Sequence, residues 1–301
     1  MAEERTDENN EMLIDLMAGW ASGAVSIFAS QPIDTILTRI QATASNTSLP
    51  QRRRLLLGNT NLRSLWNGSF AMISAIPVQN ALLMAGYGYG KRWAETNYSS
   101  NLENSSRNVY LGVFFGGCVG GLFQSFLMSP VELIKVNQQV AGKDLSSATS
   151  LVATGIFQKQ IAWRGLEATL LRDCIPHGVW FASYEWCKET LITKYYDESE
   201  SSTEKMIGVA IPSGAFAAFT AWGVGYPFDI IKTRIQAADT YNKSIGHQQL
   251  GVWQVAREII CESKGSPLTA LYKGFSLKLA KAIPASAINF FVYEWIVSHV
   301  E

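Results

Sequence analysis

Three stretches of this chain carry one pattern at one interval, and any fold has to satisfy all three at once. Pro32, Pro130 and Pro227 stand 98 and 97 residues apart and open PIDTILTRIQ, PVELIKVNQQ and PFDIIKTRIQ. An acid follows each proline by two positions (Asp34, Glu132, Asp229) and a glutamine follows it by nine (Gln41, Gln139, Gln236). Upstream, Gly19 and Gly23, Gly117 and Gly121, and Gly214 and Ala218 lie 13 and 9 residues before their prolines, the four-residue spacing that lets helices approach closely. A second block recurs as WNG at 66–68, WRG at 163–165 and YKG at 272–274, each leading through a further proline to Tyr87, Tyr184 or Tyr293. The expectation is one domain, 1–301, of three repeats, 1–106, 107–204 and 205–301, each with two helices and each packing by the same surface.

Charge placement says what surrounds those helices. The segments 16–33, 64–90, 109–131 and 206–228 contain no Asp, Glu, Lys or Arg over at least 18 residues, about the length that crosses 30 Å of hydrocarbon. Two more, 168–194 and 275–298, are equally apolar and aromatic but carry Arg172, Asp173, Lys278 and Lys281. Counting these gives six spans. The chain as a whole is 48% hydrophobic and 17% charged, against about a quarter charged in a soluble domain. With 25 Lys+Arg balanced by 25 Asp+Glu there is no cationic field for nucleic acid, and the run Arg52, Arg53, Arg54 is too short to line a groove.

Other signals are bland. The acidic start, MAEERTDENNE, has neither the basic beginning of a secretory signal nor the Arg-rich character of a transit peptide. Cys118, Cys174, Cys187 and Cys261 show no paired spacing, and His177, His247 and His299 have no hydroxyl, thiol or ligand cluster near them, so no enzyme site, metal or cofactor is expected. GGCVGG at 116–121 and GYGYGK at 86–91 lack the strand–loop–helix setting of a phosphate loop and read as helix packing.

With the thrice-repeated Pro-x-Asp/Glu-x-x-Lys/Arg element and the aromatic-x-Gly blocks in view, the sequence resembles the mitochondrial carrier family of inner-membrane solute transporters over nearly its whole length. The resemblance implies an all-α membrane protein, six transmembrane helices in a pseudo-threefold barrel with short matrix helices, working by alternating access as a monomer. It also implies a matrix gate in which each acid meets the base of the next repeat: Asp34 with Lys135, and Glu132 with Lys232. Asp229 lacks its base, since position 37 is Leu, so two pairs close the ring rather than three, with Gln41, Gln139 and Gln236 placed to brace it. On the opposite side the family's aromatic-acid-x-x-base pattern is partial. Gly88 and Val297 replace an acid and a base, leaving Glu294 with Lys91, while Glu185 and Lys188 lose their partners; Tyr87, Tyr184 and Tyr293 mark this end.

Ionisable groups deep in a membrane are functional suspects. Arg172 lies seven residues after Gly165 and twelve before Tyr184, about 10 and 18 Å along a helix, and Lys281 holds the same place relative to Gly274 and Tyr293. The first repeat has Ala75 there. The adjacent Arg172 and Asp173 resemble the pair in carriers of amino acids and of carnitine, which implies a zwitterion: Arg172 and Lys281 for a carboxylate, Asp173 for an ammonium, Trp180 shaping the cavity, and Gln79 and Asn80 from the first repeat. The stretch at 78–90 resembles ornithine-type carriers, which have an acid where Gln79 stands, so a neutral amino acid or carnitine ester fits better than a basic amino acid. A purely structural reading stays open, in which Arg172 and Asp173 neutralise one another and Lys281 reaches for water. A carrier of another metabolite such as a carboxylate, or a non-transporting scaffold of the same fold, are the alternatives. Arg164 with Gly165, and Lys273 with Gly274, resemble the family's cardiolipin sites, where free helix-start amides meet phosphate.

Arg52, Arg53, Arg54 and Arg63 follow odd helices, whereas the termini and even loops are acidic, which by the positive-inside rule turns both termini toward the intermembrane space. On this pairing scheme Leu37→Lys restores a third base and strengthens matrix-side closure. The variant is expected to melt about 2 °C higher and to exchange solute more slowly; unchanged melting and kinetics contradict the scheme.

Overall fold

The computed structural model of the chain describes residues 2–42, 62–98, 106–140, 142–157, 165–195, 203–241, 251–262 and 266–300. Among them there is no strand. The elements are α1 (Ala2–Ala42), a 3-10 turn (Leu62–Trp66), α2 (Ser69–Tyr98), α3 (Ser106–Val140), α4 (Leu145–Phe157), α5 (Leu166–Tyr195), α6 (Thr203–Tyr241), α7 (Val252–Glu262), α8 (Pro267–Leu271) and α9 (Phe275–Val300). Six of these, α1, α2, α3, α5, α6 and α9, run 26 to 41 residues, and even 26 residues reach about 39 Å. The repeat prolines Pro32, Pro130 and Pro227 lie inside α1, α3 and α6, which continue through them.

Four stretches among the described residues are long and apolar enough to cross a membrane: Leu62–Thr96, Val109–Val140, Gly208–Ala237 and Phe275–Tyr293. The last qualifies despite Lys278 and Lys281.

Burial is inverted relative to a water-soluble protein. Large apolar side chains such as Phe28, Phe70, Met84, Phe126, Phe219 and Phe291 are exposed, while Gln31, Thr35, Gln124, Ser125 and Gln139 are fully buried. Water drives Phe inward and leaves glutamine outside; a hydrocarbon solvent reverses both preferences. The burial pattern therefore identifies lipid as the medium by a route independent of hydropathy.

The chain divides into two compact units. The first comprises Met1–Pro77, Pro130–Arg164 and Thr233–Glu301. Here α1 runs along α9 and against the 3-10 turn. Side chains of α1 bond to backbone carbonyls of its neighbours: Trp20 Nε1 to Ile73 O at 3.1 Å, Gln31 Nε2 to Asn67 O at 2.9 Å, Thr35 Oγ1 to Leu65 O at 2.7 Å and Ser26 Oγ to Ala285 O at 2.6 Å. Such bonds hold helices together where lipid tails provide no hydrophobic drive. The short α7 is amphipathic, burying Val252, Val255 and Ile259 at helical spacing with Trp253, Arg257 and Glu258 outside.

The second unit comprises Val78–Ser129 and Gly165–Lys232. Its centre is the glycine stripe of α3. Gly116 and Gly120 meet α2, where a methyl group on either would lie within about 3 Å of Tyr87 or of Leu83 O; Gly117 and Gly121, one position on, meet the backbone of α5 at His177 and Asp173. Alternate faces of one stripe thus seat two helices, as the packing reading of GGCVGG requires. The expectation that all repeats pack by this surface holds only in part: a side chain at Gly23, the counterpart of Gly121, would meet Ile76 of α2 at 3.4 Å, whereas side chains built at Gly19 or Gly214 would meet nothing within 4 Å among the described residues. Only the second repeat carries the doubled glycine pairs that let a helix be approached from two sides.

Gly68, Gly165 and Gly274 have φ of +88°, +78° and +90°, and α2, α5 and α9 begin immediately after them. The third residue of each aromatic-x-Gly block is thus glycine because the helix entry is left-handed, which costs a side-chain-bearing residue about 1–2 kcal/mol. At Gly68 an added methyl would also fall 2.9 Å from Lys135 Cγ. Gly68→Ala is accordingly expected to lower the melting temperature more than Gly165→Ala, by several degrees in detergent thermal-shift measurements; equal or negligible shifts contradict this assignment.

Candidate functional site: paired charges within each unit

In the first unit Asp34 lies between two cations. Lys135 Nζ, from α3, sits 2.5 Å from Asp34 Oδ2, and Lys281 Nζ, from α9, contacts Asp34 Oδ1. The helical register places this: Asp34 shares a face of α1 with Thr38, whose hydroxyl bonds the Asp34 carbonyl at 2.9 Å, and with Gln41 a turn on. Around it Gln139 Nε2 donates to Thr35 Oγ1 at 3.1 Å, Arg39 Nε donates to Gln139 O at 3.0 Å, and Thr233 Oγ1 donates to Gln41 Oε1 at 3.2 Å. Leu37 and Glu132 are buried, at 3% and 8% exposure.

In the second unit the Arg172 guanidinium is clamped by its neighbour. Nε donates to Asp173 Oδ1 at 2.6 Å, a second guanidinium nitrogen lies 2.5 Å from the same oxygen, and another nitrogen lies 3.7 Å from Asp229 on α6. Asp173 is 2% exposed, and its other oxygen accepts from Ser125 Oγ at 3.2 Å. His177, one turn along, bonds the Asp173 carbonyl through Nδ1 at 2.6 Å, with Gln124 against its ring. Lys232, at the end of this unit, is buried, and Gln236 is buried in the first unit.

Toward the other end of α5 the aromatics interlock. Trp180 stacks on Tyr184 at 5.8 Å and meets Phe181 edge-on at 4.9 Å, and Tyr87 of α2 stacks on Phe181 at 4.3 Å. Gln79 and Asn80 lie on α2, the first half-buried and the second exposed. The charges at this end are wetter: Lys188 lies 3.8 Å from Glu185 with both about 40% exposed, and Lys91 lies 4.0 Å from Glu95. Glu185 and Lys188, expected to lack their partners in the other repeats, face one another three residues apart on α5. Glu294, the expected partner of Lys91, lies outside the described side chains, and Arg164 lies outside the described residues. Tyr293 and Lys273 are half-buried on and before α9, and Gly165 and Gly274 take the left-handed entries given above.

Ser125 and Gln124 were not singled out by the sequence. Their signal was periodicity: Ser125 is one turn beyond Gly121, to whose carbonyl its hydroxyl bonds at 2.6 Å, and so shares the face that meets α5. Nor was it evident that Lys281 contacts Asp34 and Arg172 approaches Asp229, because a partner on another helix depends on rotation about the helix axis.

Long apolar helices, polar interiors and paired charges at span depth define a multi-pass membrane protein that moves or senses polar solutes. The family model for mitochondrial carrier protein matches residues 8–98, 106–195 and 204–301. The chain therefore belongs to the mitochondrial carrier family and is a multi-pass transporter of the mitochondrial inner membrane, not an enzyme. It is 28% identical over 284 residues to the mitochondrial arginine transporter BAC2 of Arabidopsis thaliana, covering 93% of this chain and 89% of that one. It is 28% identical over 295 residues to the mitochondrial carnitine/acylcarnitine carrier protein of Mus musculus, covering 93% and 92%. Solute carrier family 25 member 45 of Mus musculus is 26% identical over 295 residues, covering 94% and 97%.

Magnitudes rank the charge pairs. Removing one partner of a buried pair costs about 3–5 kcal/mol, whereas an exposed pair contributes about 0–1 kcal/mol. Asp34→Asn, which leaves two half-buried lysines facing an amide, is expected to destabilise the purified protein by about 2 kcal/mol; Lys188→Ala should stay within about 0.5 kcal/mol. Equal effects in a thermal-shift comparison contradict this ranking.

Proposed function

We propose that this carrier moves an amino acid or a carnitine-like zwitterion, as an exchanger. The observation that carries the reading is the buried Arg172–Asp173 pair. It offers a guanidinium that binds a carboxylate in a two-pronged fashion and a carboxylate that balances an ammonium, so a solute bearing both signs exchanges partners with the pair and strands neither charge. A simple dicarboxylate would leave Asp173 facing a like charge. The relatives point the same way, one being an arginine transporter and another a carnitine/acylcarnitine carrier. Between these, Gln79 favours the solute without a side-chain cation, since the position carries no second carboxylate.

The other roles follow. Asp34, Lys135 and Glu132 with Gln41, Gln139 and Gln236 in the first unit, and Asp229 and Lys232 in the second, serve as matrix-gate residues. Lys91, Glu185 and Lys188 with Tyr87 and Tyr184 in the second unit, and Glu294 and Tyr293 in the first, serve as residues of the opposite gate, whose described pairs are wet and therefore weak. Lys281 serves as a second carboxylate contact, Trp180 as a cation-π face, and Lys273 with Gly274 as a contact for a cardiolipin-like lipid. The termini face the intermembrane space.

The test is uptake into proteoliposomes of radiolabelled neutral amino acids, arginine and carnitine against the same unlabelled solute inside. Accumulation of a zwitterion that depends on internal solute, and its loss by more than about tenfold in Arg172→Ala, is the expected result. Uptake of dicarboxylates alone, or no exchange with any solute, overturns the reading in favour of a carboxylate carrier or a scaffold respectively.

A further inference from the structure

The two deep cations do not sit alone, and their partners are related. Arg172 is on α5, the second helix of the second repeat, and approaches Asp229 on α6, the first helix of the third. Lys281 is on α9, the second helix of the third repeat, and contacts Asp34 on α1, the first helix of the first. Arg172 and Lys281 occupy equivalent places, seven residues after a left-handed glycine and twelve before a tyrosine; Asp229 and Asp34 are likewise equivalent, two residues after the repeat proline. The same contact, second helix of one repeat to acid of the next, is therefore made twice, once in each compact unit. A fortuitous ion pair has no reason to recur at symmetry-equivalent positions.

We propose that Arg172 and Lys281 are latches of the matrix gate in addition to solute contacts, each tying the second helix of one repeat to the acid of the next, and that an incoming carboxylate releases the acid by taking over the cation. This second half rests on the zwitterion reading above; the first half does not. The two latches differ in reach: Lys281 shares Asp34 with Lys135, whereas Arg172 reaches Asp229 across 3.7 Å. Arg172 has nitrogens for both duties: two hold Asp173, and a third reaches Asp229 at 3.7 Å, an ionic contact loose enough for a solute carboxylate to replace. Recognition then weakens the gate through the same side chain. The third equivalent position is Ala75, on α2, whose counterpart acid is Glu132 on α3. There the latch is missing.

Stability needs no solute, so the latch is tested first on purified protein in detergent. Arg172→Gln and Asp229→Asn should each lower the melting temperature by about 5 °C, and the double variant by no more than the larger single shift. Additive shifts overturn the latch. Ala75→Lys builds the third latch and Ala75→Glu opposes like charges at the same buried position, so the lysine variant should melt above the glutamate variant; the reverse order overturns it. A gate is separated from a merely structural pair by kinetics: in carnitine or amino acid exchange, Asp229→Asn should change the maximal rate several-fold with KM held within about twofold, and unchanged maximal rate contradicts gating. Intact zwitterion uptake with an additive cycle removes the latch alone. A coupled cycle with no zwitterion uptake removes the solute class and leaves the latch standing.

Discussion

A charge at the depth of these helices has to be paired within reach of its own side chain, because neither lipid nor a neighbouring apolar helix can solvate it. That constraint organises the structure. Asp34 is flanked by Lys135 and Lys281, Arg172 lies between Asp173 and Asp229, and Asp173 also accepts from Ser125. Each cluster lies within one compact unit, where short-range packing fixes the distances. The helices are long because the membrane is thick, and their inner faces are polar because the charges need company.

Packing supplies the distances. On α3 the stripe from Gly116 to Gly121 brings α2 against one face and α5 against the other, so that the backbone at Asp173 lies against Gly121. Any side chain at Gly121 would push α5 away and carry Asp173 off Ser125. In the first unit, tryptophan, glutamine, threonine and serine side chains of α1 bond backbone carbonyls of α2, α9 and the 3-10 turn, which orients Asp34 toward Lys135. Function in this fold depends on residues that never touch a solute.

Much of this was legible beforehand, for a physical reason. Lipid imposes span length and charge exclusion so strongly that six helices and three repeats can be read from Pro32, Pro130 and Pro227 and the apolar windows before them. The pairing of Asp34 with Lys135 was implied by the family resemblance rather than by the residues alone. What could not be read was rotation: whether Lys281 turns toward Asp34, or Arg172 toward Asp229, depends on helix orientation that no motif encodes. The glycine surfaces misled for a related reason, since Gly19 and Gly214 share the spacing of Gly117 yet face no described neighbour, and a motif records spacing without recording what lies opposite. The length of α1 was unforeseen as well, because its acidic start has no apolar periodicity and becomes helical as an extension of the span behind it.

The claim on which the rest stands is that the deep cations belong to water-facing surfaces rather than to lipid. It is tested by placing a single cysteine at position 172 or 281, in a background without the four native cysteines, and reconstituting each variant in liposomes. A membrane-impermeant, negatively charged methanethiosulfonate should modify both cysteines from the aqueous phase. Reaction only with a lipid-soluble maleimide, and none with the charged reagent, would place both side chains against acyl chains and contradict the account.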